Sequence, residues 1–288
     1  MILVTSATGN TGRHIVHNLV NAGVPVRAMT RDPDRARALP GFDRADLVVG
    51  DPAQPDSLAA AFAGAEKVML TPPAAPGWVE MQDNLIAAAR RAGVAHIVKL
   101  SVVPILSDPF PWIFTHHLAG ERAIEASGIA WTHLRPHSFM QNIPGFFLPL
   151  SGSDGTSFTM CTGDGRMPLI DARDVADVAT VALTTAGHEG RAYTLTGPEA
   201  LTFAEAAARI QAATGRPLRY VDKSRADYVA GLIGMGFPDV VAISLGDMYG
   251  TQFREGRVEQ ITDTVQAITG RPARAIDEFA RDWAAGRA

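Results

Sequence analysis

The chain has 288 residues, 47% of them apolar, and a formal net charge of −4, enough apolar material for one large lobe plus a smaller one. Without basic runs it has no electrostatic reason to bind nucleic acid, and a single cysteine, Cys161, excludes internal disulfides and suits a reducing cytosol. No apolar stretch is long enough to cross a bilayer and no signal segment is visible, so a cytoplasmic monomer or homodimer, with no membrane association, is expected.

Met1-Ile2-Leu3-Val4 reads as a strand, Thr5 to Gly12 as a glycine-bearing turn, and Arg13 to Val20 as a helix. That order brings backbone N–H groups and the positive end of a helix dipole to one point, where the pyrophosphate of a dinucleotide can sit. In a G-x-x-G-x-x-G reading, Gly9 and Gly12 hold the second and third positions and Ser6 the first. Serine carries a Cβ, so the turn is expected to avoid positive φ at Ser6, and poor nucleotide binding stays open as a consequence.

Val24 to Thr30 is the next strand, and Arg31 follows it where an acidic residue is expected for a ribose 2′-hydroxyl. Arginine suits a 2′-phosphate instead, which favours NADP(H). Asp32 keeps NAD(H) open, although Asp32-Pro33 also reads as the cap and first residue of a short helix, Asp34 to Leu39.

The alternation continues. Asp46 to Val49 reads as a short buried strand, Gln54 to Phe62 as a helix, and Lys67 to Leu70 as a strand stopped by Thr71-Pro72-Pro73. Trp78 to Ala92 is a long helix, His96 to Ser101 a strand, Thr115 to Ala126 a helix, and Trp131 to Arg135 a sixth strand closed by Pro136. Strands separated by helices imply an α/β fold, a doubly wound parallel sheet of Rossmann type, with ligands at the carboxyl ends of its strands.

Beyond Gly145, Thr156 to Met160 and Arg166 to Ile170 read as a hairpin around Thr162-Gly163-Asp164-Gly165. Asp171 to Thr184 is a helix expected to rejoin the nucleotide lobe, followed by a strand at Tyr193 to Leu195, a helix at Thr202 to Ala213, a strand at Leu218 to Val221 and a mostly helical remainder. The glycine-rich Gly231 to Gly236 ends a helical run and reads as a breaker. The expected division is a Rossmann lobe of residues 1–144 and 166–188, with 145–165 and 189–288 as a smaller α+β substrate lobe.

Thr5 to Gly12, Thr30-Arg31-Asp32-Pro33, Gly50-Asp51, Leu134-Arg135-Pro136 with Phe139-Met140-Gln141-Asn142, and Asp171 to Ala176 together resemble the NmrA-like branch of the atypical short-chain dehydrogenases/reductases, along nearly the whole chain. That branch includes NADPH-dependent reductases of quinones and triphenylmethane dyes, and also nucleotide-sensing regulators, so membership alone leaves function open. The resemblance implies Thr8, Gly9, Asn10, Thr11 and Gly12 at the pyrophosphate, Arg31 at the adenosine phosphate and Asp51 at the adenine amino group. It further implies Thr71 and Pro72 at the nicotinamide ribose, with Ser101 and Pro136 flanking the nicotinamide.

The Tyr-x-x-x-Lys pair by which larger-superfamily members protonate a carbonyl is missing. Ile113 stands where the Tyr would be and His117 where the Lys would be, and Tyr193, Tyr220, Tyr228 and Tyr249 all lie in the second half. Two chemistries remain. A quinone, azo or dye acceptor delocalises the incoming charge, so orientation supplies most of the acceleration; or a histidine, His117 or His137, donates the proton as imidazolium. With Ser101 these are the catalytic candidates, although His117 also reads as a surface residue, with adjacent His116 about 100° away around the helix, and His137 as a loop residue that packs. No histidine spacing converges three metal ligands, so no metal is expected.

Phe110, Trp112, Ile113 and Phe114 before the central helix, and Phe139, Met140, Ile143, Phe146, Phe147 and Leu148 after the sixth strand, suit a pocket for a flat aromatic substrate, and equally a joint between lobes. The leading expectation is an NADPH-dependent reductase of a conjugated, aromatic small molecule. A non-catalytic NADP(H) sensor with a protein partner, and an isomerase or cyclase that keeps its cofactor bound, are the alternatives.

Overall fold

Short strands of branched and apolar residues separated by helices fold as that alternation requires. The structure, a computed structural model, describes residues 1–72, 77–103, 111–151 and 155–287; Pro73 and Phe110 lie outside the described residues. Chain order is β1 (Ile2–Val4), α1 (Gly12–Asn21), β2 (Val26–Thr30), α2 (Pro33–Arg37), β3 (Asp46–Val49), α3 (Leu58–Phe62), β4 (Lys67–Leu70), α4 (Trp78–Arg91), β5 (His96–Leu100), α5 (Trp112–Glu125) and β6 (Ala130–Pro136). There follow α6 (Leu148–Leu150), β7 (Ser157–Met160), α7 (Ala172–Thr184), β8 (Arg191–Leu195), α8 (Phe203–Thr214), β9 (Arg219–Asp222), α9 (Arg225–Gly234), α10 (Asp239–Asp247), α11 (Thr264–Thr269) and α12 (Ile276–Ala284).

One seven-stranded sheet has the order β3-β2-β1-β4-β5-β6-β8. The pairs from β3 through to β6 are all parallel, which makes the β1/β4 boundary, where strand order reverses, the expected place for a ligand. β1 and β5 are buried along their whole length, as central strands covered on both faces must be. On one face Leu58 and Phe62 of α3, Leu85, Ile86 and Ala89 of α4 and Ile124 of α5 pack with Leu3, Val68 and Ile97 of the strands. On the other, α7 lies along α1, where the Asn18 amide donates to Asp177 at 2.8 Å.

The chain divides into two compact units. The first holds residues 1–102, 116–135 and 172–194, and the second 103–115, 136–171 and 195–288. The chain thus visits the second unit first at 103–115, which the expected division left in the Rossmann lobe; it steps across again at 136 where 145 was expected, returns at 172 where 166 was expected, and leaves at 195 where 189 was expected. Within the second unit α8 and α12 are joined by an Arg209–Asp277 ion pair, and Phe147 packs edge-on against Phe203 and Tyr249 and stacks on Phe158.

Three local expectations fail. The hairpin does not form: β7 pairs in parallel with β9, Ser157 opposite Arg219, and the stretch after Gly165 contributes only isolated bridges, Met167 to Leu201 and Ile170 to Phe139. The Asp-Gly turn signal is real, with the Gly165 N–H donating to the Thr162 carbonyl at 3.0 Å, but a tight turn does not choose a strand's partner. β3 is an edge strand with both ends exposed, not a buried one. Ser6 does adopt positive φ, +49°.

Candidate active site

The Ser6 backbone sits in the left-handed region, which costs a non-glycine residue about 1–2 kcal/mol. The turn itself holds it there: the Ser6 hydroxyl donates to the Thr71 carbonyl at 3.0 Å, and the Ser6 carbonyl accepts the Gly9 N–H at 3.0 Å. The same carbonyl explains Gly12, because a Cβ at that position would lie 2.4 Å from the Ser6 oxygen. Thr8, Gly9 and Asn10 form the exposed crest of the turn, and Thr11 and Gly12 are buried beneath it.

α1 begins at Gly12 with no side-chain cap bond at Thr11 and no acidic residue in its first turn. Elsewhere Asp32, Thr202 and Ser224 each cap the helix that follows them. A helix start without a side-chain acceptor offers its dipole to an external anion. Beside it lies a cavity of about 540 Å³ lined by Ser6, Thr8, Gly9, Thr30, Arg31, Asp32, Arg35, Gly50, Asp51 and Pro52, among others. Eight of these, Ser6, Thr8, Gly9, Thr30, Arg31, Asp32, Gly50 and Asp51, stand within the sequence motifs read above, so the first unit alone gathers those motifs around one cavity.

Inside that cavity Asp32 has a structural task, since its carboxylate accepts the Arg35 N–H at 3.0 Å and caps α2. Arg31 and Arg35 are both exposed, and among the described residues neither side chain has an anionic partner. Arg35 was missed in the sequence, though it stands four residues after Arg31 and one helical turn brings it alongside. Asp51 holds the adjoining turn through a bond from the Ala53 N–H, 3.0 Å, and its own N–H is bonded to Ser57. At the end of β4, Thr71 carries a buried hydroxyl with no hydrogen-bond partner among the described residues, next to a backbone N–H bonded to Thr5 at 2.9 Å. A cavity lined by two guanidinium groups that have no anionic partner among the described residues, and by the turn that leads into a helix start without a side-chain cap, fits a phosphorylated dinucleotide.

A second polar cluster lies where β5 ends, between α5 and β6. Lys99 is fully buried in the middle of the sheet, and its ammonium donates to the Leu100 carbonyl at 3.1 Å and lies 3.2 Å from His117 Nδ1. Burial pushes the Lys99 pKa down to about 7, with Glu121 opposing that shift and Arg135 adding to it. Gly120 makes the approach possible: a Cβ there would lie 2.9 Å from the Lys99 stem and 2.1 Å from the Gln82 amide oxygen.

Glu121 is paired through both oxygens with Arg135, at 3.0 and 2.6 Å. Burial alone would push the Glu121 carboxyl up, but bonds from Arg135 and Ser101 bring it below its ordinary value. Ser101 is buried, its N–H bonded to the Leu134 carbonyl at 2.7 Å. His133 stacks on Trp131 at 4.4 Å and reaches Glu125 at 3.2 Å. Glu121, Glu125 and His133 stand close enough together to share an ion, but Arg135 already holds both oxygens of Glu121, so the group reads as an ion-pair cluster.

His117 is not on the surface. Its ring meets Trp78 edge-on at 4.9 Å, and His116 meets the same indole at 5.9 Å, so a 100° offset does not separate the two. Burial first, then the charge of Lys99, holds His117 well below its ordinary pKa. It is therefore neutral at pH 7, and imidazolium is not its resting form. His137 is also buried: Nδ1 accepts the Ser138 N–H at 2.7 Å and the ring tilts against Phe253 at 5.3 Å. Burial pushes it down to about 4, against a bond from the Val258 backbone, and its surroundings are those of a packed core histidine.

In the second unit Phe114 and Met140 are each 2% exposed, whereas Trp112, Phe139 and Phe146 are half-buried. Met140 donates its N–H to the Ile170 carbonyl at 2.9 Å, and Phe146 lies edge-on to Phe147 at 5.7 Å. Pro136 is buried at the end of β6, its carbonyl accepting the Val103 N–H at 3.0 Å. Pro72 is buried after β4.

The sequence model of the NmrA-like family matches residues 1–279. The chain is 38% identical over 285 residues to an NAD(P)H azoreductase of Xenophilus azovorans, covering 99% of this chain and 98% of that protein. Among solved structures it is similar to an NADPH-dependent quinone oxidoreductase of Escherichia coli complexed with NADPH, with 28% identity, coverage of 98% and 99%, and a TM-score of 0.82. It is likewise similar to a triphenylmethane reductase of a Citrobacter species complexed with NADP(H), with 26% identity, coverage of 99% and 100%, and a TM-score of 0.82.

Proposed function

The chain belongs to the NmrA-like family, and from that premise we propose that it is an NADPH-dependent reductase that transfers hydride to a conjugated, aromatic small molecule of the quinone, azo or dye type. The observation that carries the cofactor is the cavity beside the β1–α1 turn, in which Arg31 and Arg35 have no anionic partner among the described residues while Asp32 is engaged as a helix cap. The observation that carries the acceptor is the kind of substrate named for the similar proteins, an azo compound, a quinone and a triphenylmethane dye.

Thr8 to Gly12 would hold the pyrophosphate, Arg31 with Arg35 the 2′-phosphate, Asp51 the adenine, and Thr71 with Pro72 the nicotinamide ribose, with Ser101 and Pro136 beside the ring. When bound, the cofactor supplies the hydride. The chain's share is orientation and a proton. A conjugated acceptor spreads the arriving charge over its π system, so alignment provides much of the rate and the absence of the Tyr-Lys pair is tolerated. Trp112, Phe114, Phe139, Met140 and Phe146 would give the flat acceptor its apolar surroundings. We assign the protein to the cytoplasm, as a monomer or homodimer with no nucleic-acid partner.

Calorimetric titration with NADPH and NADH separately, followed by cofactor oxidation against a quinone, azo and dye panel, tests the reading. Tight NADPH binding with turnover of a panel member is expected. Tight binding with no turnover of any member would overturn the reductase and leave a nucleotide sensor.

A further inference from the structure

Neither β5 nor α5 carries a tyrosine, and His117 rests neutral. Reduction of a quinone or an azo group by hydride nevertheless needs one proton for the acceptor heteroatom. The contact beneath His117 supplies a solution. An ammonium has three donors and no acceptor, so a charged Lys99 facing Nδ1 at 3.2 Å obliges that nitrogen to accept, and the ring proton must sit on Nε2.

We propose that Lys99 is the positioning residue of this reductase: it fixes His117 as the Nε2–H tautomer and hands a proton to Nδ1 as Nε2 gives one up. The inference rests on the reductase reading above. The balance closes. Hydride adds to the acceptor and oxidises the nicotinamide; the displaced electron pair on the acceptor heteroatom takes the His117 Nε2 proton; a Lys99 Nζ proton moves to Nδ1. His117 ends neutral in the other tautomer and Lys99 ends as a neutral amine; a solvent proton taken up at Nε2, as Nδ1 returns its proton to Lys99, restores both. No imidazolate and no free imidazolium is required.

The surroundings suit the task. The groups that act on the ammonium are His117 and Glu121 from α5 and His133 and Arg135 from β6, with the Gln82 amide of α4 and the Lys99 stem both against Gly120. Glu121 is the only carboxylate among these, and Arg135 holds both of its oxygens. Lys99 therefore keeps its proton without being locked to a carboxylate. Its pKa of about 7 is matched to proton exchange at neutral pH. A lysine needed only for packing would have no reason to face an imidazole nitrogen across a gap that Gly120 leaves open.

Two measurements test the proposal. Nitrogen-15 NMR of histidine-labelled wild-type protein, with His117 assigned through His117→Gln, is expected to show Nε2 protonated and Nδ1 accepting, with a shift that inflects near pH 7. An Nδ1–H tautomer, or a resonance insensitive to pH there, overturns it. In the second, Lys99→Met is expected to lower kcat by roughly 10- to 100-fold, part of what a general acid contributes, with NADPH affinity unchanged. It should also abolish the fall in wild-type kcat above about pH 7, set by Lys99. Wild-type kcat and pH profile in Lys99→Met overturn the proposal. If no acceptor is turned over by the wild type, the reductase reading fails, and the proton relay with it, whatever the tautomer.

Discussion

Replacing Arg31 by alanine isolates the cofactor assignment. Its guanidinium lines the 540 Å³ cavity with Arg35, and among the described residues no carboxylate competes for either. A hydrogen bond to a charged group contributes about 1.5–3 kcal/mol; at an exposed rim the lower end applies, because solvent and salt screen the pair. About 1.5 kcal/mol corresponds to roughly tenfold in dissociation constant. Arg31→Ala should therefore weaken NADPH binding about tenfold, and the double change with Arg35→Ala about a hundredfold if the two act independently. NADH has no 2′-phosphate and should change by less than about twofold. Calorimetric titrations with both nucleotides at low and high salt read all of this, and added salt should shrink the wild-type preference. Equal losses for the two nucleotides would refute the reasoning, since they would mean that Arg31 supports the turn and not the phosphate.

Gly12→Ala places a Cβ 2.4 Å from the Ser6 carbonyl oxygen; chemical denaturation should show a loss of about 1–3 kcal/mol, with nucleotide binding impaired by displacement of the turn. Ser6→Ala keeps the left-handed backbone and loses the bond to Thr71, whereas Ser6→Gly loses the bond and relaxes the backbone, so the alanine variant should be the less stable of the two by about 1 kcal/mol. His117→Ala should lower turnover while calorimetry finds nucleotide affinity unchanged. Lys99 titrates near 7 when folded and at 10.5 when free, so between those values the unfolded chain holds the extra proton. Stability should rise as pH rises through that window, by up to about 5 kcal/mol, and pH-dependent denaturation of Lys99→Met should show the slope flattened.

Much of the fold was legible because its signals are local. Apolar runs such as Met1 to Val4 and His96 to Leu100, bounded by Gly, Pro or polar turns, mark strands wherever they end in the sheet. The β7 pairing was not legible, because the Asp164-Gly165 turn fixes only its own bonds, while the choice of β9 as partner depends on burying Phe158 with Phe147 and Phe203, residues far apart in the chain. The edge position of β3 was hidden for a related reason. Leu47 and Val48 look like core residues until strand order shows that nothing pairs on their outer side.

The gathering of the motif residues around one cavity was legible from their positions, and the error at its edge is instructive. Ser6 was expected to avoid positive φ on the preference of an isolated residue, but a hydroxyl able to reach Thr71 and a carbonyl able to accept Gly9 make the strained backbone the better-bonded one. Lys99 left a signal that was passed over, one charge inside a continuous apolar strand at the centre of the sheet. A lysine is not left fully buried without a partner that tolerates or uses its proton. Its position predicts that a neighbouring group must accept from it, and the helix containing His117 and Gly120 is what brings that acceptor within reach. The two histidines singled out by sequence are separated by that same criterion: both are buried and neutral, but His117 has a titrating donor behind its ring, whereas His137 has only backbone and Phe253.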